Sequence, residues 1–239
     1  MSTIRDGIFC YLHNPVEFVA NNRRISTENF VNRFCSSGTD REKCSSITEQ
    51  SPKRIKFAVV RDPIDRFLSG YADKCYPKRL PLPPERCFGC EQNINCFVET
   101  LLSKLRSIIR DPHATNYMET SHFAPQTWSC NFKEHLYDYT IIKYESGPQG
   151  IRDIATQFDN IFSLAGVPDY YRSEIQKEML IGKTIHTTSG TDLRRHVENL
   201  LYSNRTLLRM ITQLYYFDFI VFGFKFPNFT EISANFNTS

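Results

Sequence analysis

The sequence predicts an α/β fold in which helices flank a central parallel sheet, and three stretches carry that expectation. Residues 55–60 (Ile55-Lys56-Phe57-Ala58-Val59-Val60) are a short, valine-rich apolar run, the composition of a strand buried on both faces of a parallel sheet. Asp62-Pro63 then turns the chain into a helix, on which Ile64, Phe67, Leu68 and Tyr71 recur at i, i+3, i+4 and i+7 as one buried stripe. A second strand candidate, residues 137–144, alternates well enough for a half-buried strand and is followed by a helical pattern over 151–164. With 239 residues, 41% of them hydrophobic, the chain can bury one sizeable core, and a single domain over residues 1–239 is the expectation.

In chain order, residues 2–13 read as a helix, with Ser2 or Thr3 able to cap it and Ile4, Ile8 and Leu12 on one face. The charged stretch 16–50 fits one or two helices, of which 27–34 is the better patterned, with Ser26 or Thr27 as cap. At the helix that follows the valine-rich strand, Asp62 is an N-cap and Pro63 occupies the first helical position, where a missing N–H costs nothing. Arg61 stands at the carboxyl end of the strand, and Arg66 and Ser69 lie three apart on the open face of the helix. Open α/β sheets take ligands outside the carboxyl ends of their strands, and a helix N-terminus offers N–H groups and positive partial charge, so this is an oxyanion site by position. The same spacing also suits a capped strand–turn–helix with solvated arginines.

Residues 75–96 read as a loop insertion, with Pro77, Pro81, Pro83 and Pro84 interleaved with Cys75, Cys87, Cys90 and Cys96. Cys87-x-x-Cys90 invites a four-thiolate zinc site, but the other two cysteines are not paired in that way and disulfides are preferred, their connectivity open. Residues 94–109 form the strongest amphipathic pattern and serve packing. A polar stretch leads to a loop, His122-Phe123-Ala124-Pro125-Gln126, whose histidine is a candidate base or else an anchor for the loop. Helices are expected over 151–164, closing at Gly166, over 171–181, closing at Gly182, and as one long final helix over 192–216.

A net charge of +3 is too mild to argue for nucleic acid, and none is expected as a partner. Eight cysteines and the sequons at Asn204, Asn228 and Asn237 point to an oxidising lumen. Residues 1–6 show no leader and no apolar run approaches the ~20 residues of a membrane span, so a signal anchor is expected upstream of Met1. The alternative is a cytosolic chain with free thiols and chance sequons.

Val60-Arg61-Asp62-Pro63, with Arg66, Ser69, Tyr71 and Lys74, resembles the V-R-D-P-x-x-R-x-x-S-x-Y-x-x-K motif of the Golgi carbohydrate sulfotransferases. The resemblance implies that Arg61 and Ser69 hold the 3′-phosphate of the sulfate donor PAPS (3′-phosphoadenosine 5′-phosphosulfate), with Arg66 beside them. Met1-Ser2-Thr3-Ile4 and Ile8-Phe9-Cys10-Tyr11-Leu12 are similar to the second half of the loop and helix that grip the 5′-phosphosulfate in nematode-type members, which assigns Ser2 and Thr3 to the donor. The lysine and first serine of that loop would precede residue 1, so the chain is expected to begin inside its donor site. The blocks around His122-Phe123-x-Pro125-Gln126 and Cys130, at residues 137–145, at Ile185-His186-Thr187-Thr188 and at Asp218-Phe219-x-x-Phe222-Gly223-Phe224 resemble further family blocks, in the family's order.

The resemblance implies a P-loop-like sulfotransferase fold and PAPS-dependent transfer of sulfate to a glycan hydroxyl, without a metal. The nearest likeness is to enzymes that sulfate chondroitin or dermatan at the 4-hydroxyl of N-acetylgalactosamine, type II membrane proteins of the Golgi lumen. His122 is the candidate base and His186 its rival. A truncated homologue that binds donor or glycan without turnover is the alternative, and a P-loop kinase is disfavoured because G-x-x-x-x-G-K-[ST] is absent.

Overall fold

The structure, a computed structural model, describes residues 2–28, 33–35, 55–76, 85–111, 117–181 and 190–229, with Pro83, His113 and Thr188. In chain order its elements are α1 (Ser2–His13), α2 (Pro15–Ala20), β1 (Phe57–Arg61), α3 (Pro63–Lys74), α4 (Ile94–Arg110), α5 (Met118–Phe123), α6 (Phe132–His135), β2 (Thr140–Tyr144), α7 (Pro148–Leu164), α8 (Asp169–Leu180), α9 (Asp192–Tyr202), α10 (Arg205–Leu214) and α11 (Tyr216–Phe222). They fall into two compact units, residues 1–61 with 129–187 and residues 62–128 with 188–239.

The first unit holds the sheet. β1 and β2 run parallel, with Phe57 opposite Thr140 and Arg61 opposite Tyr144, so both strands finish at the same edge. Among the described residues the sheet has only these two strands, each therefore with one open edge, and Val60 and Ile142 are their buried members. In β1 only Val60 is buried and Phe57, Ala58, Val59 and Arg61 are partly exposed, so the strand is less enclosed than its valine-rich composition suggested.

Helices cover the sheet. Ile8 of α1, Ile142 of β2, Phe158 of α7 and Met179 of α8 share one apolar core, and Phe57 packs edge-on to Phe158 with ring centroids 5.5 Å apart. α7 starts as close to β2 as backbone allows: a Cβ on Gly150 would stand 2.2 Å from the Glu145 carbonyl oxygen. Its far end closes as the sequence predicts, with Gly166 at φ +76° and the Val167 amide donating to the Phe162 carbonyl at 2.9 Å.

Residues 25–27 form a 3₁₀ turn and Glu28 is non-helical, so the described start of the helix expected over 27–34 differs from that expectation; most of that stretch lies outside the described residues. The reason is tertiary. The Ser26 hydroxyl and amide donate to the buried Glu178 carboxylate of α8 at 2.6 and 3.0 Å, and Arg24 adds an ion pair at 2.8 Å. Ser26 is thereby committed to a distant carboxylate instead of capping a local helix. A disulfide joins Cys10 to Cys35.

The second unit is helical among its described residues. Asp62 caps α3 by accepting the Asp65 amide at 2.9 Å, and the stripe of Ile64, Phe67, Leu68 and Tyr71 is buried as predicted. Against it pack Phe97 of α4, Phe123 of α5, Val197 of α9, Ile211 of α10 and Phe219 of α11. Arg194 of α9 reaches Asp65 of α3 at 3.0 Å.

Cys75 pairs with Cys87 and Cys90 with Cys96, so the two cysteines of the C-x-x-C go to different partners. Of the proline-rich part of this loop, residues 77–82 and 84 lie outside the described residues. The single helix expected over 192–216 is instead α9, α10 and the start of α11. Asn204 makes the first break, its side-chain oxygen accepting the Leu207 amide at 3.0 Å as the N-cap of α10. The 3.6-residue period runs across such a break unaltered, which hid it.

Candidate functional site

In the first unit, Arg61 is the last residue of β1, and its guanidinium is held on two sides. It donates to Ser146 Oγ at 3.0 Å and lies 5.1 Å from the centroid of the Tyr144 ring. Both partners sit where β2 gives way to α7, so the carboxyl ends of two parallel strands supply one oriented cation. A guanidinium so placed presents a planar fork of donors, the chemistry that suits a phosphate or sulfate. Ser2 and Thr3 open α1, a 12-residue helix with no acidic side chain in its first turn. Backbone N–H groups at such a start favour an anion.

In the second unit, Ser69 is buried on α3, which corrects the open face expected from spacing. α3 has α5, α9 and α10 packed around it, so its covered surface is wider than the four-residue stripe that the period reveals. Arg66 turns to the α5 segment, donating to the carbonyl oxygens of His122 at 2.8 Å and Ala124 at 2.9 Å. Its guanidinium lies 6.0 Å from the centre of the Tyr215 ring.

His122 occupies the last turn of α5 instead of the loop the sequence suggested. Pro125 follows, and the pre-proline Ala124, at ψ 150°, ends the helix. The imidazole is exposed, with Nδ1 2.7 Å from the Met118 carbonyl oxygen. A carbonyl only accepts, so Nδ1 carries the proton of that bond, and in the neutral ring Nε2 is the acceptor nitrogen. His186 lies outside the described residues.

The sequence of the Sulfotransferase family matches residues 1–225, running through both units. The chain belongs to the sulfotransferase family. It is 28% identical over 235 residues to the carbohydrate sulfotransferase chst-1 of Caenorhabditis elegans, covering 94% of this chain and 70% of that protein. An uncharacterised protein of the same nematode is also 28% identical over 235 residues, with 95% of this chain and 65% of the relative covered. The putative sulfotransferase vep-2 is 31% identical over 205 residues, 82% of this chain and 62% of its own length. The chain thus spans about two thirds of the length of these relatives. No solved structure matches it.

A sulfotransferase acts on a sulfate donor, and Arg61 with its Tyr144 and Ser146 supports has donor chemistry that fits such an anion. Within the second unit of this sulfotransferase the structure brings Arg66 against the backbone of His122. Sequence reasoning missed Ser146 and Tyr215, and gave Asp218 only as the start of a family-like block, without a role. Asp218 is fully buried, and its carboxylate accepts the amides of Gln126 at 2.7 Å and Thr127 at 2.9 Å and the Thr127 hydroxyl at 2.8 Å. A signal for its role lay in an acidic residue set among aromatics, Tyr215-Tyr216-Phe217-Asp218-Phe219, where a charge survives only if it is bonded.

Proposed function

We propose that this chain transfers the sulfuryl group of PAPS to a hydroxyl of a glycan, with His122 as the general base. The observation that carries the reading is the bond from Nδ1 of His122 to the Met118 carbonyl, which leaves an exposed Nε2 able to take a proton. PAPS supplies an activated sulfuryl group and departs as adenosine 3′,5′-bisphosphate. The motif resemblance supports Arg61 and Ser69 as ligands of its 3′-phosphate, and Ser2 and Thr3 as residues of the 5′-phosphosulfate loop. Nε2 of His122 accepts the acceptor's hydroxyl proton as that oxygen attacks sulfur, and the side chains otherwise position partners and offset charge.

The name of the nematode relative chst-1 supports a carbohydrate acceptor. Within that class we assign a chondroitin-like glycosaminoglycan and the 4-hydroxyl of N-acetylgalactosamine, acting in the Golgi lumen; three disulfides support an oxidising compartment.

The test is incorporation of radiolabelled sulfate from PAPS into unsulfated chondroitin, with unsulfated heparosan as the control acceptor. His122→Ala is expected to lower kcat by ~10²–10⁴ with donor affinity nearly unchanged. Parent-like kcat in that variant removes His122 from the chemistry, and incorporation into heparosan alone removes the chondroitin assignment.

A further inference from the structure

Five backbone polar groups in a stretch of six residues are fixed by three side chains. α5 ends at Phe123, so its last carbonyls lack helical partners. The carbonyls of His122 and Ala124 accept from the two terminal nitrogens of Arg66, and the carbonyl between them, of Phe123, accepts the Tyr215 hydroxyl at 2.8 Å. Beyond Pro125 the direction reverses, and the amides of Gln126 and Thr127 donate to Asp218. The cation thus meets the negative end of a helix and the carboxylate meets N–H groups, each polarity matched.

Tyr215 and Asp218 are fully buried. Burial, the largest influence, pushes the Tyr215 phenol well above its ordinary range, so it stays a neutral donor to Phe123. A buried carboxylate and a guanidinium committed to two carbonyls are an elaborate means of holding a surface turn, because desolvating charge is costly unless every bond is made. What the turn carries at its head is His122.

We propose that Arg66 and Asp218 are positioning residues for His122, holding residues 122–127 as one rigid piece so that Nε2 is aimed before the acceptor arrives, and that Arg66 serves this role instead of binding donor phosphate. The inference rests on His122 being the base. It departs from what the motif resemblance implies for Arg66, whose side-chain hydrogen bonds among the described residues both go to backbone oxygens. Small misplacement of a catalytic group commonly costs ~10²-fold in rate, which sets the expected effect.

The test uses the full chain with Arg66→Met, Arg66→Lys and Asp218→Asn, each also combined with His122→Ala, and thermal melting to verify folding. Arg66→Met and Asp218→Asn should lower kcat by roughly 10- to 100-fold, while the Kd of adenosine 3′,5′-bisphosphate by calorimetry stays within about twofold. Arg66→Lys, which keeps the charge and can bond one carbonyl, should recover part of the loss and keeps the question answerable where methionine compromises folding.

In the His122→Ala background the same substitutions should cost nothing further, since a residue acting through the imidazole has nothing left to position. Independently of turnover, nitrogen NMR of the parent should show His122 protonated at Nδ1, and Arg66→Met should shift it toward the Nε2-protonated tautomer.

A fall of tenfold or more in bisphosphate affinity on Arg66→Met would return Arg66 to the donor site. Additive losses in the double variants, or an unaltered His122 tautomer, would equally overturn the proposal. Failure of the parent reading looks different, because His122→Ala alone then keeps kcat while the tautomer shift still reports on positioning.

Discussion

Arg61 is oriented by the Ser146 hydroxyl and the face of the Tyr144 ring. A phosphate deprived of such a charge-assisted partner loses about 1.5–3 kcal/mol, so Arg61→Ala should weaken adenosine 3′,5′-bisphosphate binding roughly 10- to 100-fold. Calorimetry giving the parent Kd would remove Arg61 from the site. Glu178 shows the same logic applied to stability. Burial alone would raise its pKa, but the hydrogen bonds from Ser26 and Arg24 outweigh it and hold the carboxyl below its ordinary range. A carboxyl depressed in the folded state stabilises the fold above its unfolded pKa, and that contribution disappears as pH falls through the folded value. Melting temperature should therefore drop on acidification below the usual carboxylate range, and Glu178→Gln should lower it at neutral pH while flattening that acid limb. An acid limb of unchanged steepness in Glu178→Gln would contradict this. The sequence flagged Arg61 by its place at a strand end, whereas Glu178 gave no local sign, because its partners lie about 150 residues away.

α3 was legible in its cap, proline and stripe, since those signals lie in consecutive residues, while the burial of Ser69 was not. α7 was legible in its body, and its entry was not. Gly150 looked ordinary in sequence, yet an alanine there would drive its methyl into the Glu145 backbone, which cannot rotate aside as a side chain could. Gly150→Ala should destabilise the protein by roughly 1–3 kcal/mol through forced displacement of the first turn of α7 from β2. A denaturant midpoint equal to the parent's would show that the turn moves freely. Gly70, whose added methyl would meet the Phe123 ring at 2.9 Å, is a milder case because a ring can tilt. The final helices mark the opposite failure, where one period continued through 192–216 while the Asn204 side chain, bonded to Leu207, makes the first cut and Tyr215, between α10 and α11, the second.

At the scale of the molecule, six cysteines among the described residues join in three pairs that span 25, 12 and 6 residues. Loop-closure entropy puts their stabilisation at about 3.5, 3 and 2 kcal/mol in that order, so reduction should lower the melting temperature markedly. Alkylation in denaturant without reductant should leave these six unmodified, and stoichiometric zinc with all six alkylated would reverse the assignment. The sequence by itself determined the family, the strand-then-helix units and the candidates Arg61 and His122, because periodicity, capping and motif spacing are written in consecutive residues. It could not reveal that Ser69 is covered, that Arg66 faces the His122 carbonyl, that Asp218 grips Gln126 and Thr127, or which cysteines meet. Those facts depend on which distant side chains the packed cores bring within 3 Å of one another, as Asp218 comes to Gln126 from 92 residues away, and separation along the chain carries no record of that meeting.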